Sequence, residues 1–479
     1  MMRFRTLVSV VGLLLLAGAQ PLLAQPGYQT DFPIEEFAAR RHSIMDSIGT
    51  GALALLQGQA AVEGFYVFRQ TNDFYYLTGL EVPHAYLLID GTSRQSTLYL
   101  AHRNAGRERN EGKVYSAEDA DEVKRLTGVD RVEPIEALMR DFIWSYLVRL
   151  PNPILFTPFS PAEGQYESRD EILGGVAAHL ADPWDGASNR TTRFVQLLRD
   201  RYPQLALHDL SPALDAMRLV KSNREIDLIR TASELAGLGI MEAIRSTAPG
   251  VMEYQIDAAA NVVFSMNGAR SEGYRSITAG GKNAWMGHYF HNSAPLVAGD
   301  LVLMDVAPDY RYYTSDVARM WPVNGTYSKD QRDMYGFIIA YRNALLKHIR
   351  PGVTPAQVMD EAAADMRPVL DRIAFSKPIY RTACEKALAF RGHLSHPVGM
   401  AVHDVGVYRN QTLKPGMVFS IDPMIWVDEE TLYIRMEDVV VVTETGVENL
   451  SDNIPAEMDE LEALIREEGI VQLRPAVFR

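Results

Sequence analysis

Hydrophobic and polar positions alternate along this chain with two different periods. IEEFAARRHSIMDSI repeats its apolar residues at helical spacing and predicts an amphipathic helix. GALALLQG and AYLLID are short, nearly continuous apolar runs that predict buried strands, and STLYLA predicts another. The aromatic segment FRQTNDFYYLTGLEVPHAY between them fits neither period and reads as a loop. Ser222 or Asn223 can cap a helix on which Ile226, Ile229 and Ala232 recur at helical spacing. DELEALIREEGI near the C-terminus reads as one charged amphipathic helix that packs with a solvated face.

Two stretches alternate with period two and carry acids in their apolar rows. Folding LVLMDVAPDYRYYTSDVARM about Tyr310–Arg311 sets Asp305 opposite Asp316. Folding MVFSIDPMIWVDEETLYIRMED about Glu429–Glu430 sets Asp422 opposite Glu437. Like charges directly opposed on adjacent strands are destabilising. Either pair alone fits a solvent-facing surface, but two matched pairs within one region point to a bound cation. Each hairpin follows a helical region, so the second half looks like two α/β units related by a pseudo-twofold, with a site at their seam.

Length and charge narrow the classes. The chain has 479 residues, enough for two or three domains. Apolar residues make up 47%, sufficient for a sizeable core. Acids outnumber Lys plus Arg by 61 to 47, a formal charge of −14. No basic stripe is present, so no nucleic-acid partner is expected. Residues 1–24 resemble a signal peptide. Arg3 and Arg5 form a basic start, and the apolar run from Leu7 to Ala19 is roughly a dozen residues, too short to span a bilayer. PLLA then offers cleavage near Ala24. Export to the periplasm or the exterior is expected, with no stable membrane anchor. Cys384 is the single cysteine, so no intrachain disulfide forms and packing must supply stability.

The histidines follow the acids. GHLSHPVGMAVHDVGVY holds His393, His396 and His403, and GGKNAWMGHYFHN holds His288 and His291. A lone His is more often a satisfied structural residue, and that reading is kept for His179, His291 and His393. His396 is the natural nitrogen donor to join four carboxylates. This mostly oxygen donor set suits Mn²⁺ first, with Zn²⁺, Co²⁺ or Fe²⁺ as alternatives. Four negative charges balance two divalent ions, which activate water and polarise a carbonyl while a nearby carboxylate moves the proton. Gly280–Gly281–Lys282 lacks the phosphate-loop pattern, and no HExxH or GxSxG motif occurs.

Taken in order, these segments resemble the pita-bread metallopeptidases, in particular the Xaa-Pro aminopeptidase (aminopeptidase P) and prolidase group. FRQTNDFYYLTGLEVPHAYLLID is similar to the family's N-terminal domain, and MRLVKSNREIDLIRTA to the start of its catalytic domain. YRSITAGGKNAWMGHYFHN, LMDVAPDYRYYTSDVAR, SHPVGMAVHDVG, KPGMVFSIDP and IRMED follow in the family's order. The resemblance implies an α/β N-terminal domain over 31–212 and an α+β pita-bread (creatinase/aminopeptidase-like) catalytic domain with pseudo-twofold symmetry over 215–465. It implies a dinuclear centre held by Asp305, Asp316, His396, Asp422 and Glu437. It gives catalytic parts to His288, His403, Asp422 and Arg435, and an activated hydroxide as nucleophile. The implied substrates are peptides with proline second, and the implied assembly is a dimer or tetramer. Trp426 and Tyr289 are candidates for an apolar wall against the proline ring.

The chain departs from the family pattern at several positions. Asp422 stands where Glu is usual and reaches about 1.5 Å less. Met424 replaces Gly, Trp426 a common Tyr, Gly392 a frequent His and Ala318 a usual Thr. These changes bear on rate and substrate preference more than on fold. Two alternatives accompany the leading reading: a prolidase restricted to dipeptides, and a non-catalytic pita-bread binding protein. Retention of a carboxylate or His at every ligand position speaks against the latter, and against a creatinase-like hydrolase that works without metal.

Overall fold

In the computed structural model the described residues are 29–62, 64–143, 148 and 153–475. The proposed signal peptide lies outside them. IEEFAARRHSIMDSI is helical over Ile34–Ile48 and buries Phe37, Ile44, Met45 and Ile48. The first half is built on a mixed six-stranded sheet. Its strands are β1 (Ala52–Gln57), β2 (Tyr86–Asp90), β3 (Gln95–Leu100), β4 (Arg131–Pro134), β5 (Ile154–Thr157) and β6 (Ala206–Asp209). The order is β4-β3-β2-β1-β5-β6, with the β1–β2 and β2–β3 pairs antiparallel and the others parallel. The three expected strands are β1, β2 and β3.

The aromatic segment is not all loop. Asn72–Thr78 is a helix whose seven residues are all buried, closed by Gly79 in the left-handed region at φ 65°. A helix enclosed on every side needs no polar face, so it shows no amphipathic stripe to read.

The second half opens with the helix Asn223–Arg245. Ser222 caps it, and Glu225 completes a reciprocal capping box. The helix Glu253–Met266 packs against it. Then come β7 (Ser271–Glu272), β8 (Ile277–Gly280), β9 (Leu301–Asp305), β10 (Pro308–Asp309) and β11 (Ala318–Pro322). The pattern repeats with the packed helices Lys329–His348 and Pro355–Arg372, the helix Pro378–Ala389, and β12 (Val418–Ile421), β13 (Met424–Val427), β14 (Leu432–Arg435), β15 (Asp438–Val442) and β16 (Val447–Asn449). Each unit has an antiparallel three-stranded sheet, β11-β9-β8 in one and β12-β15-β16 in the other. The sheets meet where Ala318 and Glu437 exchange both backbone hydrogen bonds, at 3.2 and 3.0 Å. One continuous apolar core, including Trp321, Phe337, Ile421 and Ile434, spans both units.

The two hairpins differ from expectation in different ways. In the second, β12–β15 and β13–β14 both hold the predicted register, and Asp422 and Glu437 fall between these ladders. In the first, the Tyr310–Tyr313 bridge encloses a turn at Arg311–Tyr312, one residue beyond the expected centre. Asp305 therefore pairs with Ala318 and not with Asp316. A shift of two residues preserves the face, because side chains alternate with period two. The turn sits where it does because Tyr312 is anchored. Its ring stacks on Tyr75 at 3.4 Å, and its hydroxyl accepts from the Gln70 N–H and donates to Glu81.

DELEALIREEGI is also not one helix. Met458–Leu464 and Ile470–Leu473 are separate, and Leu461 is buried. Gly469 sits in the break, where a Cβ would meet the Ser246 backbone at 2.4 Å. Among the described residues, no helix is long and apolar enough to cross a membrane.

Candidate metal centre

The seam between the two units brings the acids together. Asp305 ends β9, Asp316 precedes β11, Asp422 follows β12, and Glu437 lies between β14 and β15. Asp305, Asp316 and Glu437 are buried, and the Asp422 carboxylate is nearly so. Tyr274 donates its hydroxyl toward both Asp305 Oδ1, at 2.6 Å, and Asp316 Oδ1, at 2.8 Å. Arg435, at the end of β14, faces three of the acids. Its Nε and Nη2 grip both oxygens of Asp422 at 3.0 Å, Nη1 reaches Asp305 Oδ2 at 2.9 Å, and Nη2 also bonds Glu437. His396 places Nε2 3.1 Å from Asp316 Oδ2 and 4.0 Å from Glu437 Oε1.

The electrostatics record the crowding. Burial pushes Asp305 up to about 7 against the pull of Arg435, and Asp316 adds to the rise. Burial likewise drives Glu437 well above the carboxylate range and raises Asp422. Burial opposes ionisation of Asp316 too, but the hydrogen bond and charge of His396, with Arg435, hold it at about 2. With all four carboxylates ionised, one guanidinium would leave an excess of negative charge in a low-dielectric site, and the upward shifts follow from that crowding and burial.

The residues present fit divalent cations. Asp316, His396 and Glu437 each offer a ligand atom, and these atoms all lie within 4.8 Å of one another. Glu437 Oε1 is buried and, among the described residues, has no hydrogen-bond partner. Such an orphaned carboxylate oxygen is costly unless a cation meets it. Oxygen donors with one imidazole suit a hard or borderline divalent ion. Of the five expected ligands, the structure gathers these three into one set. Asp305 stands beside them through Tyr274, while Asp422 is turned into the Arg435 clamp.

A cavity of about 370 Å³ opens over the acids, and His288, Phe290, His403, Trp426 and Arg435 line it together with Asp305, Asp316 and Asp422. The His403 ring lies 4.2 Å from that of His396 and 6.3 Å from that of His288. His403 Nδ1 meets Asp170 Oδ2 at 2.8 Å. Burial lowers the His403 pKa, but Asp170 more than offsets this and the net shift is upward. His288 is shifted down by burial and by the nearby His403. Tyr289 does not reach the cavity; its hydroxyl is spent on Glu253 Oε2 at 2.9 Å.

Comparison with known proteins agrees with this geometry. Residues 227–444 match the family model "Metallopeptidase family M24", and residues 37–146 match "Aminopeptidase P, N-terminal domain". The Xaa-Pro aminopeptidase of Escherichia coli is 30% identical over 456 residues, covering 90% of this chain and 97% of that protein. The chain belongs to the Xaa-Pro aminopeptidases of metallopeptidase family M24. The solved proline aminopeptidase P II of Yersinia pestis superposes with a TM-score of 0.72 at 30% identity, over 91% of this chain and 99% of that one. Aminopeptidase P from E. coli with the inhibitor Pro-Leu gives the same TM-score at 28% identity, with the same coverage of both chains. The protein is thus a metal-dependent aminopeptidase with the pita-bread fold.

Three residues at this site of the Xaa-Pro aminopeptidase were not found by reading the sequence. Tyr274 opens the segment YRSITAGGKNAWMGHYFHN, but nothing about a single Tyr marks it as the bridge between two acids. Asp170 and Glu171 come from the first turn of the helix Arg169–Ala181, in the N-terminal half. Glu171 lines the cavity and Asp170 holds His403. Their partners are remote in sequence, so only the folded chain reveals them.

Proposed function

We propose that this enzyme removes the residue preceding proline from peptide N-termini with the help of two divalent ions, Mn²⁺ foremost. The observation that carries this reading is the buried Glu437 Oε1, which has no hydrogen-bond partner among the described residues and lies beside three further carboxylates and His396. Asp316, His396 and Glu437 would hold one ion, and Asp305 and Asp422, together with Asp316 and Glu437, would hold the second. When bound, the ions supply water activation and polarisation of the scissile carbonyl. Asp422 lines the cavity, and in this reading it accepts a proton and passes it to the departing prolyl nitrogen. His288 and His403 stabilise charge that develops on the reacting carbonyl and leaving group. Proline offers no amide N–H, so its subsite needs a shaped wall and not an acceptor. Trp426 provides part of that wall.

The deciding experiment strips the protein with chelator and titrates it with Mn²⁺, Zn²⁺, Co²⁺ and Fe²⁺. Xaa-Pro dipeptides, Xaa-Pro-Xaa tripeptides and Xaa-Ala-Xaa controls are assayed in parallel. Two ions per chain and release of the first residue from the proline tripeptides are expected, with the alanine controls intact. A folded protein that takes up no divalent ion overturns the reading, and cleavage confined to dipeptides makes it a prolidase. The same reading includes a homodimer or homotetramer, tested by sedimentation. It also includes export with cleavage after Ala24, tested by the N-terminal residue of protein recovered outside the cytoplasm.

A further inference from the structure

A second pocket, of about 510 Å³, adjoins the metal centre. It lies between the helix Pro378–Ala389, the loop that follows it, and β13. Leu345 and Met359 contribute apolar walls. Ala383 and Ala387, one helical turn apart, present only methyl groups, and that leaves the space open. Phe390 and Trp426 line it while 49% and 38% exposed. Aromatic surface left in contact with water beside a concave apolar wall marks a binding site.

The pocket shares a wall with the catalytic cavity. Ser395, Asp422, Met424 and Trp426 line both. Asp422 is therefore reached from either side, and Met424 and Trp426 form the partition. Methionine is unbranched and flexible, so a partition built on it yields to a side chain passing along it.

We propose that this pocket receives the side chain of the substrate's first residue and selects large apolar residues there. The inference rests on the aminopeptidase reading of the site. The carbonyl attacked in this reading belongs to the substrate's first residue, so that residue sits at the acids that would hold the ions. Its side chain branches from the carbon bonded to that carbonyl, so it starts within two bonds of the reacting carbon. Side chains beyond the proline start farther off, by about 3.8 Å of backbone per residue. The compartment sharing Asp422 with the cluster is therefore within reach of the first side chain and remote from the third.

The test uses metal-loaded full-length enzyme and two peptide series. One varies the first residue through Gly, Ala, Leu and Phe ahead of Pro-Ala. The other keeps Ala first and varies the third residue. Wild type is expected to favour Leu or Phe over Gly at the first position by at least about tenfold in kcat/KM, the worth of apolar groups in a fitted pocket. Ala387→Trp, and independently Ala383→Leu, fill the pocket and should cut that Leu-to-Gly ratio to near unity. Calorimetric binding of reduced-bond Leu-Pro and Gly-Pro analogues should show the same ratio without turnover. No first-residue preference in wild type, an unchanged ratio in both variants, or a preference that follows the third residue each overturns the assignment. Failure to cleave any Xaa-Pro peptide would instead overturn the underlying reading of the metal centre, and the inference with it.

Discussion

Ala318 has no functional group, yet it lies between two of the acids. Its backbone pairs with Asp305 on one side and with Glu437 on the other. Asp316 sits two residues before it and meets both Tyr274 and His396. Asp316→Ala therefore removes a carboxylate that, on the proposed reading, holds both ions. We expect metal binding and hydrolysis to fall by more than about 100-fold, since even residues behind the ligands contribute 10–100-fold. Elemental analysis and a peptide assay check this, with circular dichroism confirming that the first-half sheet stays folded. Full activity would place the site elsewhere. Asp422→Glu tests the family departure. The present carboxylate is held by Arg435 at 3.0 Å through both oxygens, and the adjoining pocket leaves room for a longer side chain. We expect kcat/KM equal to wild type or up to about tenfold higher, given about 1.5 Å more reach. A tenfold loss would show a backbone adapted to the shorter acid. All four acids were legible in the sequence because the misplaced turn moved Asp305 by two residues and left its face unchanged. Tyr274 was not, because its role depends on strands that meet only after folding.

The element that sequence patterning undervalued most is the helix Arg169–Ala181. Ser168 caps it with Glu171 and also accepts a hydrogen bond from the His403 N–H at 3.2 Å, while Asp170 holds His403 Nδ1. The start of this helix thus orients a cavity histidine that lies 233 residues away in sequence. Asp170→Ala should lower kcat/KM about tenfold with metal content unchanged, as expected for a group orienting a working histidine. Asp170→Asn keeps a carbonyl acceptor and should recover most of the loss. Equal damage in both variants would mean that the carboxylate charge, and not orientation, is what counts. The hairpin turn shows the same limit on reading local sequence. Arg311 and Tyr312 hold φ of 54° and 76°, values that favour Gly or Asn, and neither residue announces such a turn. Contacts to Tyr75, Gln70 and Glu81 hold it there, so the register was decided by the other half of the chain.

At the scale of the whole molecule, the two halves are joined by buried charge. Arg218 donates to Asp73 and Glu163 at 2.8 Å and to Asp404 at 2.6 Å, and Lys221 lies 3.1 Å from Asp404. Arg218→Met strands those acids in the interior and should cost about 3–5 kcal/mol in urea unfolding. A cost below about 1 kcal/mol would mean that Lys221, beside Asp404, and Arg169, 2.9 Å from Glu163, suffice. Charge in the metal centre acts in the opposite sense. Asp305 at about 7 and the raised Glu437 keep protons, in the folded metal-free protein, that the unfolded chain gives up near pH 4. At these two groups the folded state then binds more protons than the unfolded one, so their contribution to the stability of the metal-free protein falls as pH rises from 5 to 8. Asp404 and Asp438 are shifted down, Asp404 by Arg218 and Lys221 and Asp438 by Arg319 and Arg342, each against the opposing effect of burial. Their contribution is already complete above about pH 4 and is lost only in more acid solution, so it leaves this window untouched. Divalent ions compete with the protons for the same oxygens, and that competition eases as pH rises. The gap in Tm between metal-loaded and metal-free protein should therefore widen steadily from pH 5 to pH 8 in scanning calorimetry. A gap independent of pH would mean that the ions do not bind at these buried carboxylates.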